Sequence, residues 1–395
     1  METATQNIDL KNLDKSTWKT CRFDQLAQKV SETVDPNTTD LEIYVGLEHI
    51  DAESIHLKRK GVPSDVSGGK LKCYPGDVIF GKRRAYQRKV AIVDFEGICS
   101  AHAFVLRANP DVINPDLFPF FLHSDLFMHC AVDISVGGLS PTINWGQLKE
   151  QEFLLPPKDQ QAQLAKLLWA MDEVIEKEKD VLDRLVVAYT STIEKKIIDK
   201  NSNKIYFKNL GKLIRGVGFK PKDLLDEYSE NAFVLLRSNN ISDSKVNYEK
   251  VYFLPLEILK NDQQLLPGDF ALCMSNGSKD LVGKAAKFNG YDKMVSIGSF
   301  CAGFRPKDTL SGEVIHHLFA SESYRQAIKR ILSGSAINNL KPSDIEDLYL
   351  RLNFEGSNFK STLKSLNSMV TSKIQLESKI ASSQSVQKSL INQVF

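Results

Sequence analysis

A stretch without proline or glycine, residues 159–200, constrains the fold of this 395-residue chain more than any other feature. Pro156 and Pro157 precede it, and an Asn-Ser-Asn sequence at residues 201–203 follows it. Its apolar residues alternate at steps of four and three, the spacing of a coiled-coil seam: Leu164, Leu168, Met171, Ile175, Leu182, Leu185 and Tyr189. Glu178 is the polar exception in that seam. At about 1.5 Å per residue such a helix runs roughly 60 Å, so the pattern predicts a spacer between domains.

The segments that precede this helix recur after it in the same order. The Phe-Asp-Gln-Leu sequence that starts at Phe23 resembles the Phe-Lys-Asn-Leu sequence that starts at Phe207, and the Pro-Gly-Asp turn at residues 75–77 returns at residues 267–269. The positional offset grows in order, from 184 at Phe23 to 198 between Arg107 and Arg305. A repeat of this length indicates two copies of a whole domain plus helix rather than a solenoid.

The second copy also ends in a long stretch without proline or glycine. Its predicted seam residues are Leu363, Leu366, Val370 and Ile374. The sequence therefore predicts an α+β protein with two mixed α/β globules and a long antiparallel two-helix coiled coil between them. We expect globules at residues 1–155 and 204–355, and spacer helices at residues 156–203 and 356–395. The alternative is that each helix lies independently on its own globule.

Composition sets the broad class of protein. Hydrophobic residues make up 42% and charged residues 25%, as in ordinary folded domains. The net charge of +2 means that any basic surface must be local. The six cysteines form no CxxC pair, which is typical of reduced thiols. No apolar run is long enough to span a membrane, and the first residues lack an apolar signal segment, so we expect a soluble cytoplasmic protein without a membrane partner.

The strongest local charge signal lies between two predicted strands of the first globule. It comprises Lys82, Arg83, Arg84, Tyr86, Gln87, Arg88 and Lys89. Arginine and lysine neutralise phosphates, while arginine and glutamine also bond to base edges. The corresponding segment of the second copy holds mainly small polar residues: Ser275, Asn276, Ser278, Lys279 and Lys284. Two readers of different DNA sequences would need this difference, although a charged run is also compatible with an ordinary solvated hairpin.

A second candidate for DNA contact is a Gly/Ser-rich loop that precedes a short helical turn in each copy. The first loop offers Ser140, Thr142 and Asn144, and the second offers Ser335, Asn338 and Asn339. Exposed backbone N–H groups there could meet a phosphate. The alternative is an ordinary loop with a helix cap. His49, Asn239 and Asn240 follow a predicted strand in their copies and are further candidate base readers.

Catalytic motifs are missing from the sequence. There is no G-x-x-x-x-G-K-[ST] phosphate loop and no Asn/Asp-Pro-Pro-Tyr/Phe stretch of the kind that adenine methyltransferases carry. Cys99, His102, His123, His129 and Cys130 do not have the spacing of a closed four-ligand zinc set. We expect no metal and no catalytic residue, hence a binding protein.

The duplicated pattern resembles the specificity subunit of type I restriction-modification systems. The resemblance rests on Tyr-Val-Gly-Leu-Glu-His-Ile at residues 44–50, the Pro-Gly-Asp strand entry and Leu-Pro-Pro-Lys-Asp-Gln-Gln at residues 155–161. It implies two target recognition domains that each read half of a bipartite double-stranded DNA sequence. The second copy departs from the pattern at residues 350–356, where Leu-Arg-Leu-Asn-Phe-Glu-Gly replaces the Leu-Pro-Pro entry.

The resemblance also implies partners and cofactors. The helices would dock two DNA adenine methyltransferase subunits. The resemblance leaves open whether a restriction/translocase subunit is a further partner. This chain would hold no cofactor itself, since S-adenosylmethionine, ATP and Mg would belong to the partner subunits. The rival hypotheses are a self-contained nuclease or other nucleic-acid enzyme with two pseudo-equivalent sites, and a coiled-coil adaptor between proteins. The target sequence, its gap and the partner stoichiometry do not follow from the residues.

Overall fold

The computed structural model describes residues 13–242, 244–334, 338–353 and 358–395. The chain divides into two compact units: unit 1 is Met1–Asp180 with Glu377–Phe395, and unit 2 is Val181–Leu376. Both boundaries fall inside a long helix, so each unit contains a globular part and a portion of both helices. Among the described residues, no helix is long and apolar enough to cross a membrane.

Within its described residues, unit 1 contains ten strands, four short helices and a portion of each long helix. The strands are β1 (Lys19–Arg22), β2 (Ala27–Val30), β3 (Thr33–Val34), β4 (Tyr44–Val45), β5 (Lys70–Cys73), β6 (Val78–Gly81), β7 (Val90–Ile92), β8 (Gly97–Cys99), β9 (Ala103–Ala108) and β10 (Glu152–Leu155). The helices are α1 (Phe23–Leu26), α2 (Phe118–His123), α3 (Asp125–Asp133), α4 (Trp145–Leu148) and α5 (Lys158–Thr192), the last of which continues into unit 2. Two four-stranded sheets, in the orders β2-β9-β6-β7 and β3-β5-β8-β4, accompany the antiparallel pair β1-β10.

Unit 2 repeats this arrangement. Its strands are β11 (Lys204–Tyr206), β12 (Gly211–Arg215), β13 (Ala232–Leu236), β14 (Ile241–Ser242), β15 (Lys245–Val246), β16 (Tyr252–Pro255), β17 (Phe270–Cys273), β18 (Ala285–Lys287), β19 (Val295–Ile297), β20 (Cys301–Pro306) and β21 (Tyr349–Arg351). Its helices are α6 (Thr309–Phe319), α7 (Glu322–Ser333), α8 (Pro342–Glu346) and α9 (Phe359–Val394), and α9 continues into unit 1. The sheets have the orders β12-β20-β17-β18-β15-β14, β16-β13-β19 and β11-β21.

Five strand pairings of unit 1 have counterparts in unit 2, although the outer parts of the sheets differ. The antiparallel pairs β1-β10, β2-β9, β6-β9 and β6-β7 match β11-β21, β12-β20, β17-β20 and β17-β18, and the parallel pair β4-β8 matches β13-β19. An internal ion pair is duplicated as well. Arg107 bonds Asp77 at 2.7 Å, and Arg305 bonds Asp269 at the same distance. Since both carboxylates are buried, these pairs fix the entry of β6 and β17 through the same charge-assisted contact.

Aromatic side chains build the main core of each unit. In unit 1, Phe23 lies within 5.5 Å of Phe127 and 6.1 Å of Phe153, measured between ring centroids. In unit 2, Phe207 takes the equivalent position and stacks on Tyr324 at 5.9 Å. Phe23 and Phe207 are the first residues of the two Phe-containing sequences that mark the repeat, so the sequence similarity reflects a shared core.

Within unit 1, the first part of α5 packs antiparallel to the last part of α9. The amide of Gln387 donates to the Leu168 carbonyl at 3.3 Å, and the Lys379 ammonium lies 3.0 Å from the Glu178 carboxylate. The buried side chains of this contact are Leu164, Ala165, Leu168, Leu390, Ile391 and Val394, with Met171 half-buried beside them and Ile175 also buried. Glu178, the polar exception of the predicted seam, is thus buried against a cation of the opposite helix.

The carboxyl end of α9 also enters the unit 1 core. The ring of Phe395 lies 5.1 Å from that of Phe121, edge to face. The Asn392 amide donates to Asp125 at 2.6 Å, and its oxygen accepts the Asp125 backbone N–H. Residues 377–395 are therefore part of the unit 1 fold.

Within unit 2, the seam predictions are partly correct. Tyr189 packs against a core that contains Leu363 and Leu366, while Leu182, Leu185 and Val370 are half-buried. Ile374 is wrong as a seam residue, because 50% of its side chain is exposed. A straight helix has 3.6 residues per turn, so the inward face drifts, and the next fully buried apolar position along α9 is Ile380.

Two predicted boundaries require correction. Helix α5 ends at Thr192 and not at residue 200, because a π-helical turn, Ile193–Ile197, buries two isoleucines in the unit 2 core before Ile198 pairs with Leu352. The predicted strand over residues 44–50 is limited to Tyr44–Val45, since a 3₁₀ turn follows at Leu47–His49. The predicted start of the second helix at residue 356 lies outside the described residues.

Candidate nucleic-acid interface

The basic segment of unit 1 is the connection between β6 and β7. It contains a 3₁₀ turn, Ala85–Gln87, whose first side chain is buried and anchors the loop. Arg84 and Arg88 flank that turn with φ angles of 58° and 52°. Left-handed backbone in a non-glycine residue costs on the order of 1 kcal/mol and persists where surrounding contacts impose it. The loop therefore has a fixed shape.

The Gly/Ser loop predicted as a separate candidate lies directly against this basic loop. The Arg84 N–H donates to the Pro141 carbonyl at 2.7 Å, and the Ile143 N–H donates to the Lys82 carbonyl at 2.9 Å. The Arg84 guanidinium also donates to the Ser140 hydroxyl at 3.0 Å. Two segments whose bonded residues lie 56 positions apart in the sequence thus form one surface.

A third segment, which the sequence reasoning did not select as a DNA reader, completes the surface. The N–H groups of Lys82 and Arg83 both donate to the His102 carbonyl, at 3.1 and 3.3 Å. The Arg83 guanidinium lies 3.5 Å from His102 Nε2, and the His102 side chain is exposed. We define residues 82–87, 100–103 and 137–144 as reading surface 1.

Side chains on reading surface 1 differ in how freely they reach solvent. Arg84, Tyr86 and Asn144 are exposed, whereas Lys82, Arg83, Gln87, Ser140 and Thr142 are half-buried. The Lys82 ammonium lies 5.2 Å above the Phe104 ring, and burial, followed by the nearby Lys29 charge, lowers its pKa. Asn144 also caps α4, because its side chain accepts the Gly146 N–H. Exposed cations, a phenol and an amide on a fixed loop can bond phosphates and base edges.

Arg88 and Lys89 serve the fold, which corrects their prediction as DNA contacts. The Arg88 guanidinium pairs with Glu53 at 3.2 Å and Asp125 at 2.8 Å, and also donates to the His123 carbonyl. The Lys89 ammonium donates to the Leu47 carbonyl at 2.6 Å. Both cations are half-buried and already bonded, so they hold the base of the loop rather than its reading edge.

Unit 2 has the same three-segment arrangement. The Leu340 N–H donates to the Met274 carbonyl at 2.8 Å, and Ser275 forms an antiparallel bridge with Asn339. The N–H groups of Met274 and Ser275 both donate to the Phe300 carbonyl, at 2.9 and 3.1 Å. We define residues 274–279, 298–301 and 338–339 as reading surface 2. Since its three segments contact one another through the backbone bonds of reading surface 1, the repeat includes the candidate site.

The side chains of reading surface 2 are mainly small and uncharged, apart from Lys279 and Phe300. Ser278, Lys279 and Asn339 are exposed, and Ser275, Asn276 and Asn338 are half-buried. Asn276 bonds Ser238 and the Ser278 N–H, and the Asn338 amide donates to the Gly277 carbonyl. Lys284, half-buried, lies beside the buried Cys273, whose pKa is raised by burial. The predicted residue Ser335 lies outside the described residues.

His49 and Asn240 have structural roles at equivalent places. His49 Nδ1 accepts the Gly46 N–H at 3.0 Å, and Asn240 Oδ1 accepts the Arg237 N–H at 2.9 Å. Each side chain closes a 3₁₀ turn three residues long. Asn240 is also fully buried, so it cannot read a base, whereas Asn239 is exposed.

The residues missed from sequence are His102, Phe300 and Leu139. Phe300 is 71% exposed and Leu139 is 97% exposed. The offset of 198 that aligns Arg107 with Arg305 also aligns His102 with Phe300, so the repeat itself was the signal that could have found them.

Metal ligands do not assemble in the part of the chain that the structure describes. No group of three or more His, Cys, Asp or Glu residues there could hold an ion. Cys99 is buried, with a raised pKa caused first by its contact with Cys73, while His102 is exposed on reading surface 1. The cysteine and histidine candidates therefore do not converge.

Comparison with known families identifies the first part of the chain. Residues 16–185 match the model of the type I restriction modification DNA specificity domain. The chain is 34% identical over 134 residues to the type I restriction enzyme StySPI specificity subunit of Salmonella potsdam and to the EcoKI specificity subunit of Escherichia coli K12. These matches cover 34% of this chain and 29% of each relative, so the chain spans under a third of the length of those relatives.

Solved structures extend the comparison to the fold of the whole chain. The type I restriction-modification S subunit of M. genitalium matches with a TM-score of 0.53 and 13% identity, over all of this chain and 98% of that one. A chain from a study of type I R-M complex assembly and conformational transition matches with a TM-score of 0.50 and 15% identity, over 95% and 97%. The resemblance to type I specificity subunits is confirmed: residues 16–185 match the model of the DNA specificity domain, and the mixed α/β fold is shared with the solved S subunit.

Proposed function

We propose that this chain is the DNA specificity subunit of a type I restriction-modification complex and reads a bipartite double-stranded DNA target. One observation carries the proposal: the same three-segment backbone surface occurs in both units with different side chains. Reading surface 1 presents Arg83, Arg84 and Tyr86, whereas reading surface 2 presents Ser278, Lys279 and Asn339. A repeated scaffold with different reading groups suits two different half-sites of one DNA molecule.

The chemistry of each surface fits DNA in a distinct way. The exposed guanidinium of Arg84 and its neighbour Arg83 can neutralise phosphates or bond guanine in a bidentate manner. The amides and hydroxyls of reading surface 2 carry no charge, so they favour hydrogen bonds to base edges and to phosphate oxygens. Unit 1 would therefore supply more of the salt-dependent affinity.

In this proposal the two long helices form an antiparallel coiled coil between two target recognition domains. The helix pairing seen within each unit supports it. The exposed cations and anions of α5, such as the Glu173–Lys177 pair, give a polar face on which methyltransferase subunits could dock. We propose two DNA adenine methyltransferase partners and a restriction/translocase subunit as a further one. Methyl transfer with S-adenosylmethionine and cleavage with ATP and Mg would then occur on partner chains in the cytoplasm, and this chain would be non-catalytic.

Methylation mapping tests the recognition role. Cells that carry this chain together with its methyltransferase should show adenine methylation confined to one bipartite sequence, with two half-sites and a constant gap. Cells that carry the methyltransferase with a chain lacking residues 181–376 provide the control and should lose that pattern. Methylation without a shared bipartite sequence would overturn the proposal.

Helix length tests the spacer role. Seven residues, about two helical turns, can be inserted both between Asp180 and Val181 and between Leu376 and Glu377, so that the antiparallel register is retained. The mapped gap should change while both half-sites stay the same. An insertion in α5 alone is the matched control, since it breaks the register and should abolish methylation. An unchanged gap after the double insertion would remove the spacer role.

A further inference from the structure

Equivalent tight turns precede β9 and β20. The Ala103 N–H donates to the Ser100 carbonyl at 3.0 Å, and the Cys301 N–H donates to the Gly298 carbonyl at 2.8 Å. His102 and Phe300 occupy the same position of the two turns. Because each turn leads directly into a central strand of its unit, the position is held by the sheet.

The carbonyl of this turn residue is fixed by the neighbouring reading loop. In unit 1 it accepts two N–H groups, from Lys82 and Arg83, and in unit 2 it accepts two from Met274 and Ser275. A carbonyl that accepts two hydrogen bonds has a fixed orientation. The side chain of this residue therefore projects from the same backbone position in both units. The sole difference at this position is then the chemistry of the side chain.

The side chain at this position differs in polarity between the two units. His102 is polar and exposed next to the Arg83 guanidinium, whereas Phe300 is apolar and 71% exposed. A single exposed apolar residue on a protein surface is ordinary. Phe300 differs because it occupies a duplicated position, fixed by two backbone hydrogen bonds, on a surface whose other exposed side chains, such as Ser278, Lys279 and Asn339, are polar.

We infer that Phe300 determines part of the specificity of unit 2 by contacting the 5-methyl group of a thymine in the DNA half-site. This inference rests on the proposed function. Thymine carries the one apolar group that standard bases present in the major groove, and phenylalanine is among the side chains that contact it. Ser275, whose N–H donates to the Phe300 carbonyl, and the exposed Ser278 and Asn339 of the same surface offer hydrogen-bonding groups suited to the edges of adjacent bases. Unit 1, with His102 at the same position, would lack this apolar contact.

Uracil, which lacks the methyl group, is the probe for this contact. Duplexes that carry the methylation-mapped target, with each thymine replaced in turn by uracil, are bound to the complex of this chain with its methyltransferase. The wild-type chain should lose affinity at one position by about fourfold, the factor for burial of one methyl group. F300A should bind the thymine duplex about as weakly as the wild type binds uracil, and should not respond to uracil there.

Two variants serve as controls. F300L keeps an apolar side chain and should retain part of the thymine preference, whereas H102A should leave the response to uracil unchanged. A target without thymine in either half-site, a wild-type complex that is indifferent to every uracil, or an equal uracil effect in F300A would each overturn the inference. Failure of the proposed function would show differently, as methylation mapping that yields no bipartite target at all.

Discussion

Reading surfaces 1 and 2 share a backbone and differ in nearly every side chain that reaches solvent. The bond from the residue 143 N–H to the residue 82 carbonyl in unit 1 returns in unit 2 as the bond from Leu340 to Met274. Around that shared frame, unit 1 places two arginines and a tyrosine, while unit 2 places serines, asparagines, one lysine and one phenylalanine. The fold therefore fixes where reading groups stand and leaves their chemistry free.

The residues that hold the frame are internal and charged, and they are separate from the reading groups. Arg88 illustrates this in unit 1, because its guanidinium forms ion pairs with Glu53 and Asp125 at the base of the loop. The buried Asp77–Arg107 and Asp269–Arg305 pairs do the same for the neighbouring strands. A charged residue in a candidate DNA-binding loop can thus belong to the scaffold.

The largest expected effect comes from charge reversal on reading surface 1. The double variant R83E/R84E should weaken DNA binding by roughly a hundredfold at moderate salt, and the slope of log affinity against log salt should become shallower by about 2. Fluorescence anisotropy with the mapped duplex measures both quantities. K19E, on the two-stranded sheet β1-β10, is the control and should bind nearly as the wild type does. An unaltered salt slope would show that unit 1 does not contact phosphates.

Acidification should separate the stabilities of the two units. Burial lowers the pKa of His316 and His317 in unit 2 to about 4, and that of His123 in unit 1 to about 4. These folded-state pKa values lie below the unfolded value of about 6.5, so their stabilisation is complete above pH 6.5 and is lost as pH falls, by about 1.4 kcal/mol per pH unit for each.

His56 opposes this trend in unit 1. Its hydrogen bond to Asp172 raises its pKa, so its contribution is complete below the unfolded value and is lost as pH rises through the folded value. Unit 2 should therefore lose more stability than unit 1 between pH 6.5 and 5. Trp18, Trp145 and Trp169 all lie in unit 1, so tryptophan fluorescence in urea reports that unit, and hydrogen exchange reports both. Equal losses of stability in both units would contradict this prediction. So would an H316Q/H317Q variant whose unit 2 loses as much stability on acidification as the wild type does.

Removal of the polar groups of reading surface 2 should have a smaller effect with a different signature. S278A/N339A should weaken binding by about tenfold, since a good pair of base contacts contributes about 1–3 kcal/mol. The salt slope should stay unchanged because no charge is removed. S202A, remote from the reading surface in sequence and bonded to Asp199, is the control. A loss of salt dependence equal to that of the arginine variant would erase the distinction between the units.

The smallest expected effect is at Ile374. Because half of its side chain is exposed, I374S should change the free energy of unfolding by less than about 0.5 kcal/mol. L366A in the same helix is the positive control, since Leu366 is fully buried and its truncation should cost about 2–5 kcal/mol. Urea unfolding of the full chain measures the free energy of unfolding of both variants. A large loss of stability in I374S would show that Ile374 is a seam residue of a regular heptad after all.

The sequence allowed the repeat, the long helices and both reading loops to be predicted, because each leaves a local signal in spacing or composition. The contacts that individual side chains make in the folded chain left no such signal in the sequence. Arg84 and Arg88 are equally basic in the sequence, and only tertiary contacts assign one to solvent and the other to Asp125. Ile374 fits the heptad by spacing, yet the drift of a straight helix turns it outward. Phe300 was missed because an isolated phenylalanine ordinarily predicts core.

The packing of residues 377–395 into unit 1 has a consequence for biosynthesis. Unit 2 is one continuous segment, Val181–Leu376, so it contains all of its own core before the last helix is complete. Unit 1 is translated first but lacks the side chains that cover Leu168 and Phe121 until Leu390 and Phe395 have left the ribosome. The part of the chain made first should therefore be the last to reach its native state. Until then its apolar helix face remains open to chaperones, or to the same segment of a second nascent chain.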